Sequence, residues 1–107
     1  MAEWTFLTNH GLVLSYVARH PRITARDLAN SIGITERATR KIIADLLETG
    51  YITKKREGRR NRYRIDSDLT LRHPGHAETA VGDLLEALGW KKPRGRAQAI
   101  QQATIMR

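Results

Sequence analysis

The chain has 107 residues, room for one modest hydrophobic core and little for a second independent domain. Its 19 Lys and Arg against 11 Asp and Glu give a formal net charge of +8 and an isoelectric point near 10.6, which suits a polyanionic partner. The absence of cysteine excludes disulfides and thiolate metal sites, and no apolar run approaches the roughly 20 residues of a membrane span. Met1-Ala2-Glu3-Trp4 lacks the pattern of a signal peptide, so a soluble cytoplasmic protein is the expectation.

Thr8 or Asn9 can cap a first helix in which Leu12, Val13, Tyr16 and Val17 recur at helical spacing. Pro21 steers His20 away from helical geometry, so this helix is predicted to end near Arg19. Ile23 stands alone as an apolar residue, and Thr24-Ala25-Arg26-Asp27 then reads as a capping box. It opens a second helix whose buried side is Leu28, Ala29 and Ile32. Gly33 supplies the turn, and Thr35 caps a third helix predicted over 36–49 and ended by Gly50. Its inward face is Thr39, Ile42, Ile43, Leu46 and Leu47; the opposite face carries Glu36, Arg37, Arg40, Lys41 and Ala44.

Residues 51–56 and 62–65 flank Glu57-Gly58-Arg59-Arg60-Asn61, the pattern of a β-hairpin with a glycine-containing loop. Alternation sends Tyr63 and Ile65 to one side of the second strand and Arg62 and Arg64 to the other. Lys54, Lys55, Arg56, Arg59, Arg60, Arg62 and Arg64 place seven cations within 11 positions, opposed only by Glu57. Residues 67–75 read as a polar connector ending in Pro74 and Gly75. A last amphipathic helix is predicted over 76–88, within a C-terminal segment 76–90, with Ala77, Val81, Leu84, Leu85 and Leu88 on one stripe. A basic tail follows over 91–107, with Lys91, Lys92, Arg94, Arg96 and Arg107, no acidic residue, and good helix formers over 97–105.

The functional unit is the pair of helices from Ala25 to Ala44. Ala29 is small enough for the helices to cross closely, Gly33 makes the turn, and Ile34 and Ile42 bury the second helix, leaving its outer face free to enter a major groove. With Val13-Leu14-Ser15-Tyr16-Val17, Leu46-Leu47-Glu48-Thr49-Gly50-Tyr51-Ile52 and Gly58-Arg59-Arg60-Asn61-Arg62-Tyr63, the chain resembles winged helix-turn-helix transcriptional regulators of the MarR and ArsR type from about Leu12 to Ile65. It departs from them at Thr39, where they usually have an aliphatic residue, and at Glu36, where many have a neutral polar one. The resemblance implies a mostly α fold with a small β-hairpin: a three-helix core, a β-wing and an additional C-terminal helix. It implies a DNA-binding domain over 1–66 and a recognition role for the third helix.

By that resemblance the DNA-binding residues are Thr35, Glu36, Arg37, Arg40 and Lys41 on the recognition helix, and Lys54, Arg56, Arg59, Arg60 and Arg62 on the wing. Arg can grip guanine O6 and N7 with two hydrogen bonds, whereas Lys more often meets phosphate. Glu36 either accepts from cytosine N4 or simply complements the helix macrodipole. The density of wing cations fits a minor groove or backbone contact, against the blander reading of a solvated hairpin tip. Val81, Leu84, Leu85 and Leu88 either pack onto the chain's own core or, as terminal helices do in the resembling family, form a homodimer seam. Such a dimer would set two recognition helices about 34 Å apart on a pseudo-palindrome.

Trp4, Phe6 and Trp90 are expected to close the core or a subunit seam, with an aromatic ligand cage as the alternative. His73 and His76 suggest a metal site only weakly, because no cysteine and no carboxylate beyond Glu78 stands near them. No nucleophile elbow, phosphate-binding loop or zinc-protease motif is present, so no enzymatic activity, cofactor or metal is expected. The function that follows is a sequence-specific regulator of transcription bound to double-stranded DNA. The alternatives are an RNA-binding winged-helix protein, disfavoured by the lack of stacking aromatics on the basic face, and a protein-interaction module of a larger assembly.

Overall fold

A computed structural model describes residues 4–92. Met1 to Glu3 and residues 93–107, which hold most of the expected basic tail, lie outside the described residues. The elements in chain order are α1 (Asn9–Arg19), α2 (Ala25–Ile32), α3 (Glu36–Glu48), β1 (Ile52–Glu57), β2 (Arg60–Ile65), a 3₁₀ turn (Pro74–His76) and α4 (Val81–Ala87).

Threonine starts each of the first three helices. The hydroxyls of Thr8, Thr24 and Thr35 accept from the backbone N–H of Gly11, Asp27 and Ala38 at 3.2, 3.1 and 3.0 Å. Each bond satisfies a donor that the helix cannot, a contribution of about 1 kcal/mol per cap. Gly33 closes α2 in the left-handed region at φ +88°, which lets the chain turn into α3 within three residues.

The hairpin is tighter than its sequence suggests. Glu57 pairs with Arg60 across a two-residue turn, so the strands run to their charged tips instead of leaving a five-residue loop. Gly58, at φ +61°, takes the first turn position, where a residue with a Cβ would be strained. Tyr63 is buried and Ile65 half-buried on the inner side while Arg62 and Arg64 face out, as alternation requires.

Val13 and Val17 of α1, Leu28 of α2, and Ile42, Ile43 and Leu46 of α3 meet Tyr51, Ile52 and Tyr63 in one core. Thr39 is also fully buried there, and its hydroxyl donates to the Thr35 carbonyl at 2.9 Å, so no polar atom is stranded.

The C-terminal segment departs most from expectation. α4 begins only at Val81, and Ala77, expected on its apolar stripe, is exposed and outside the helix. Backbone groups that an earlier start would need are used elsewhere: Thr70 and Ala80 form a β-bridge, Leu71 N donates to Thr79 O, and Val81 N donates to Leu69 O. The expected connector over 67–75 is therefore bonded to the segment that follows it. Leu69 and Leu71 pack against the core, and Tyr51 Oη donates to the Thr70 carbonyl. Gly82 lies so close to Ser67 that a Cβ there would stand 2.7 Å from its Cβ. This approach seats Val81, Leu85 and Trp90 in the core shared with α1 and α3.

Candidate nucleic-acid interface

Burial of Thr39, Ile42, Ile43 and Leu46 fixes the rotation of α3 and leaves Glu36, Arg37, Arg40, Lys41 and Ala44 exposed, as predicted. The charges on this face are arranged less simply. Arg40 donates from Nε and Nη2 to one oxygen, Oε2, of Glu36 at 3.2 and 2.7 Å. Lys41 donates to Oδ1 of Asp45, whose Oδ2 is 2.8 Å from Nε2 of His10 on α1. The Lys41 and His10 hydrogen bonds hold the Asp45 carboxyl below its ordinary range, and the bond to Asp45 raises the Lys41 ammonium above its own. Among the described residues Arg37 makes no ion pair. The i,i+4 spacing of Glu36 with Arg40 and of Lys41 with Asp45 carried the signal for both pairs; the His10 contact, 35 residues away in sequence, left none.

On the wing, the register divides the expected residues between two faces. Lys54 and Arg56 share a side with Tyr63 and Asn61, whereas Arg60 and Arg62 lie on the other side with Lys55 and Arg64. Arg59 sits at the turn, and Arg56 Nε donates to the Gly58 carbonyl at 2.8 Å, which braces that turn. Lys55 stands directly across from Arg62, a like-charge pairing that a polyanion would relieve. Glu57 is shared by Arg62 and Arg22, each at 3.7 Å, and the Tyr63 N–H donates to the Pro21 carbonyl at 2.8 Å. These contacts fix the wing against the α1–α2 loop.

The result is a groove of about 360 Å³ between the outer side of α3, the start of α2, and the Tyr63 side and turn of the wing. Arg40, Lys54, Arg59 and Arg60 line it together, joined by Arg22, which sequence reasoning did not single out. Arg37, Lys41, Arg56 and Arg62 do not line it; they are exposed on the elements that frame it.

Of the four residues expected at a dimer seam, Val81 and Leu85 are only 2% and 1% exposed and belong to the chain's own core. Their one-sided burial in a short helix leaves Leu84, half-buried, and Leu88, exposed, as the apolar surface of α4. Trp90 closes the core, but Trp4 and Phe6 do not: they are 67% and 93% exposed and stack edge to face. An apolar groove of about 630 Å³ adjoins Phe6, bounded by Leu7, Leu14, Leu46, Leu71 and Leu84. His73 accepts from the Gly75 N–H through Nδ1, a turn-capping role, and no group of three metal-ligating side chains occurs among the described residues. No helix among them is long and apolar enough to cross a membrane.

Residues 7–53 match the family described as winged helix-turn-helix DNA-binding. The matched stretch spans α1, α2 and α3 and reaches the first residues of β1. No curated protein gave a significant match. With its helical core and antiparallel wing, the chain has a winged helix-turn-helix fold, and residues 7–53 are similar to a DNA-binding domain of that class.

Proposed function

We propose that the chain is a sequence-specific transcriptional regulator of the MarR or ArsR kind that binds double-stranded DNA in the cytoplasm and catalyses no reaction. The observation that carries this reading is the groove in which Arg40 of α3 meets Lys54, Arg59 and Arg60 of the wing. A B-form major groove, about 12 Å wide, admits one helix. With α3 inserted there, Arg37 and Arg40 face base edges, Thr35 and Lys41 meet phosphates, and the wing follows the backbone into the adjoining minor groove. Arg56 and Arg62 extend the wing contact along the backbone. The domain over 1–66 does the reading, and residues 76–90 complete its core.

A homodimer supplies the second half-site. Its seam draws on the exposed apolar residues Trp4, Phe6 and Leu88 and the half-buried Leu84, and places two recognition helices about 34 Å apart. The test is selection from a random double-stranded DNA pool at physiological salt, with sequencing of the bound fraction. Enrichment of a pseudo-palindrome with half-sites about one helical turn apart supports the reading. A bound fraction as random as the input overturns it.

A further inference from the structure

Glu36 is the one acidic residue in the first turn of α3, on the face that carries Arg37 and Arg40. It binds Arg40 through a single oxygen: Nε and Nη2 of Arg40 both reach Oε2, and among the described residues Oε1 has no partner. A guanidinium has five N–H donors, so two are spent and three remain, all on its terminal nitrogens Nη1 and Nη2. The exposed pair therefore offers one acceptor, Oε1, beside a fork of donors, and carries no net charge toward phosphates.

Each base pair presents its own pattern in the major groove. A C·G pair shows, from the cytosine side, one donor (N4) and then two acceptors (guanine O6 and N7). The Glu36–Arg40 pair offers acceptor, donor, donor, which complements that order and no other. A T·A pair shows acceptor, donor, acceptor, and a C·G pair turned end for end shows acceptor, acceptor, donor. Both residues lie toward the N-terminus of α3, the end of a recognition helix that meets base edges.

We infer that Glu36 and Arg40 act as one unit that reads a single C·G base pair in a fixed orientation, Glu36 accepting from cytosine N4 while Arg40 donates to guanine O6 and N7. This rests on the proposed function, since it assigns a base to that interface. It gives Glu36 a second effect: by holding Arg40 it denies that arginine to phosphates, and so weakens binding to unrelated sequences. A carboxylate that served only the helix macrodipole would do neither.

The test repeats the selection with Glu36→Ala, the near-isosteric Glu36→Gln and Arg40→Ala, each checked for helix content by circular dichroism. The position read by the pair is the one whose preference Arg40→Ala abolishes. There the wild type is expected to select C·G in one orientation, favoured about 5- to 150-fold over other pairs. Glu36→Ala is expected to accept C·G and G·C alike at that position. It also binds unselected DNA more tightly, with a salt dependence steeper by up to about 0.9 in log–log slope for the one phosphate that Arg40 is then free to neutralise. Glu36→Gln replaces one of the two acceptor oxygens by an NH2 donor, so it cannot both hold Arg40 and accept from cytosine N4, and is expected to lose the same orientation preference. Unchanged orientation in both Glu36 variants overturns the inference, as does a pair other than C·G at the Arg40 position. A wild-type pool with no enriched motif removes the underlying reading and the inference with it.

Discussion

Replacing Gly82 by alanine sets two opposed effects against each other at a position where the structure decides the outcome. Gly82 lies in the first turn of α4, and alanine is the better helix former by about 1 kcal/mol, which taken alone predicts stabilisation. The added Cβ, however, would stand 2.7 Å from Ser67 Cβ and 2.9 Å from the Ser67 carbonyl oxygen. That oxygen is backbone and accepts from the Gly82 N–H at 2.9 Å, so relief requires the 66–69 turn and α4 to separate. Overpacking of this kind costs about 1–3 kcal/mol, and loss of the hydrogen bond about 1 kcal/mol more. The net expectation is destabilisation by about 1–3 kcal/mol. In a domain of this size that lowers Tm by at least about 4 °C, read by far-ultraviolet circular dichroism. Val81, Leu85 and Trp90 belong to the core that this segment completes, so the emission of the buried Trp90 should shift to the red as the segment loosens. A Gly82→Ala variant that melts at or above the wild-type temperature would refute the packing argument.

Three further outcomes follow from the same structure. Thr39→Val should change stability by less than about 1 kcal/mol, because the hydroxyl it removes serves only the Thr35 carbonyl, which still accepts from the Thr39 N–H at 3.0 Å; a loss above about 2 kcal/mol in urea denaturation would contradict this. The lowered Asp45 carboxyl contributes stability that is complete above the ordinary carboxylate value of 3.8 and lost as pH falls through its lower folded value, so Asp45→Asn should flatten the acid limb of a stability–pH curve in that range. The raised Lys41 adds stability present below 10.5 and lost only as pH rises past its higher folded value, so the neutral region should stay level; identical acid limbs for wild type and Asp45→Asn would count against the paired geometry. Arg59→Ala with Arg60→Ala should weaken DNA binding alike on every sequence and lower the log–log salt slope by about 0.9 for each phosphate no longer neutralised, whereas Arg37→Ala should relax sequence preference; equal losses from both changes on all sequences would contradict this division.

The helical core was legible because its signals are local. Thr8, Thr24 and Thr35 announced three helix starts, Gly33 the turn, and the spacing of Ile42, Ile43 and Leu46 the buried side of α3. The hairpin was legible in its alternation but not in its turn, because the charged residues at its tip look like loop until Gly58 brings Glu57 opposite Arg60. The C-terminal segment was least legible. Its helix start depends on the Thr70–Ala80 bridge and on Gly82 meeting Ser67, contacts with no trace in hydrophobic periodicity. For the same reason Val81 and Leu85 read as a possible seam from their spacing, although packing commits them to the core. At the candidate interface the cations were visible in composition. Their grouping was not: Arg22 reaches the groove through the fold, and His10 meets Asp45 from a helix 35 residues away in sequence.

The central claim is that one surface, the outer side of α3 together with the wing, holds the duplex. Backbone amide chemical shifts of the labelled chain, followed while a selected duplex is titrated in, test it most directly. The account predicts changes concentrated at Arg37, Arg40, Lys41 and Ala44 and along 53–64, with few on the apolar groove formed by Leu7, Leu71 and Leu84. Changes centred on that apolar groove, with α3 and the wing unmoved, would contradict it.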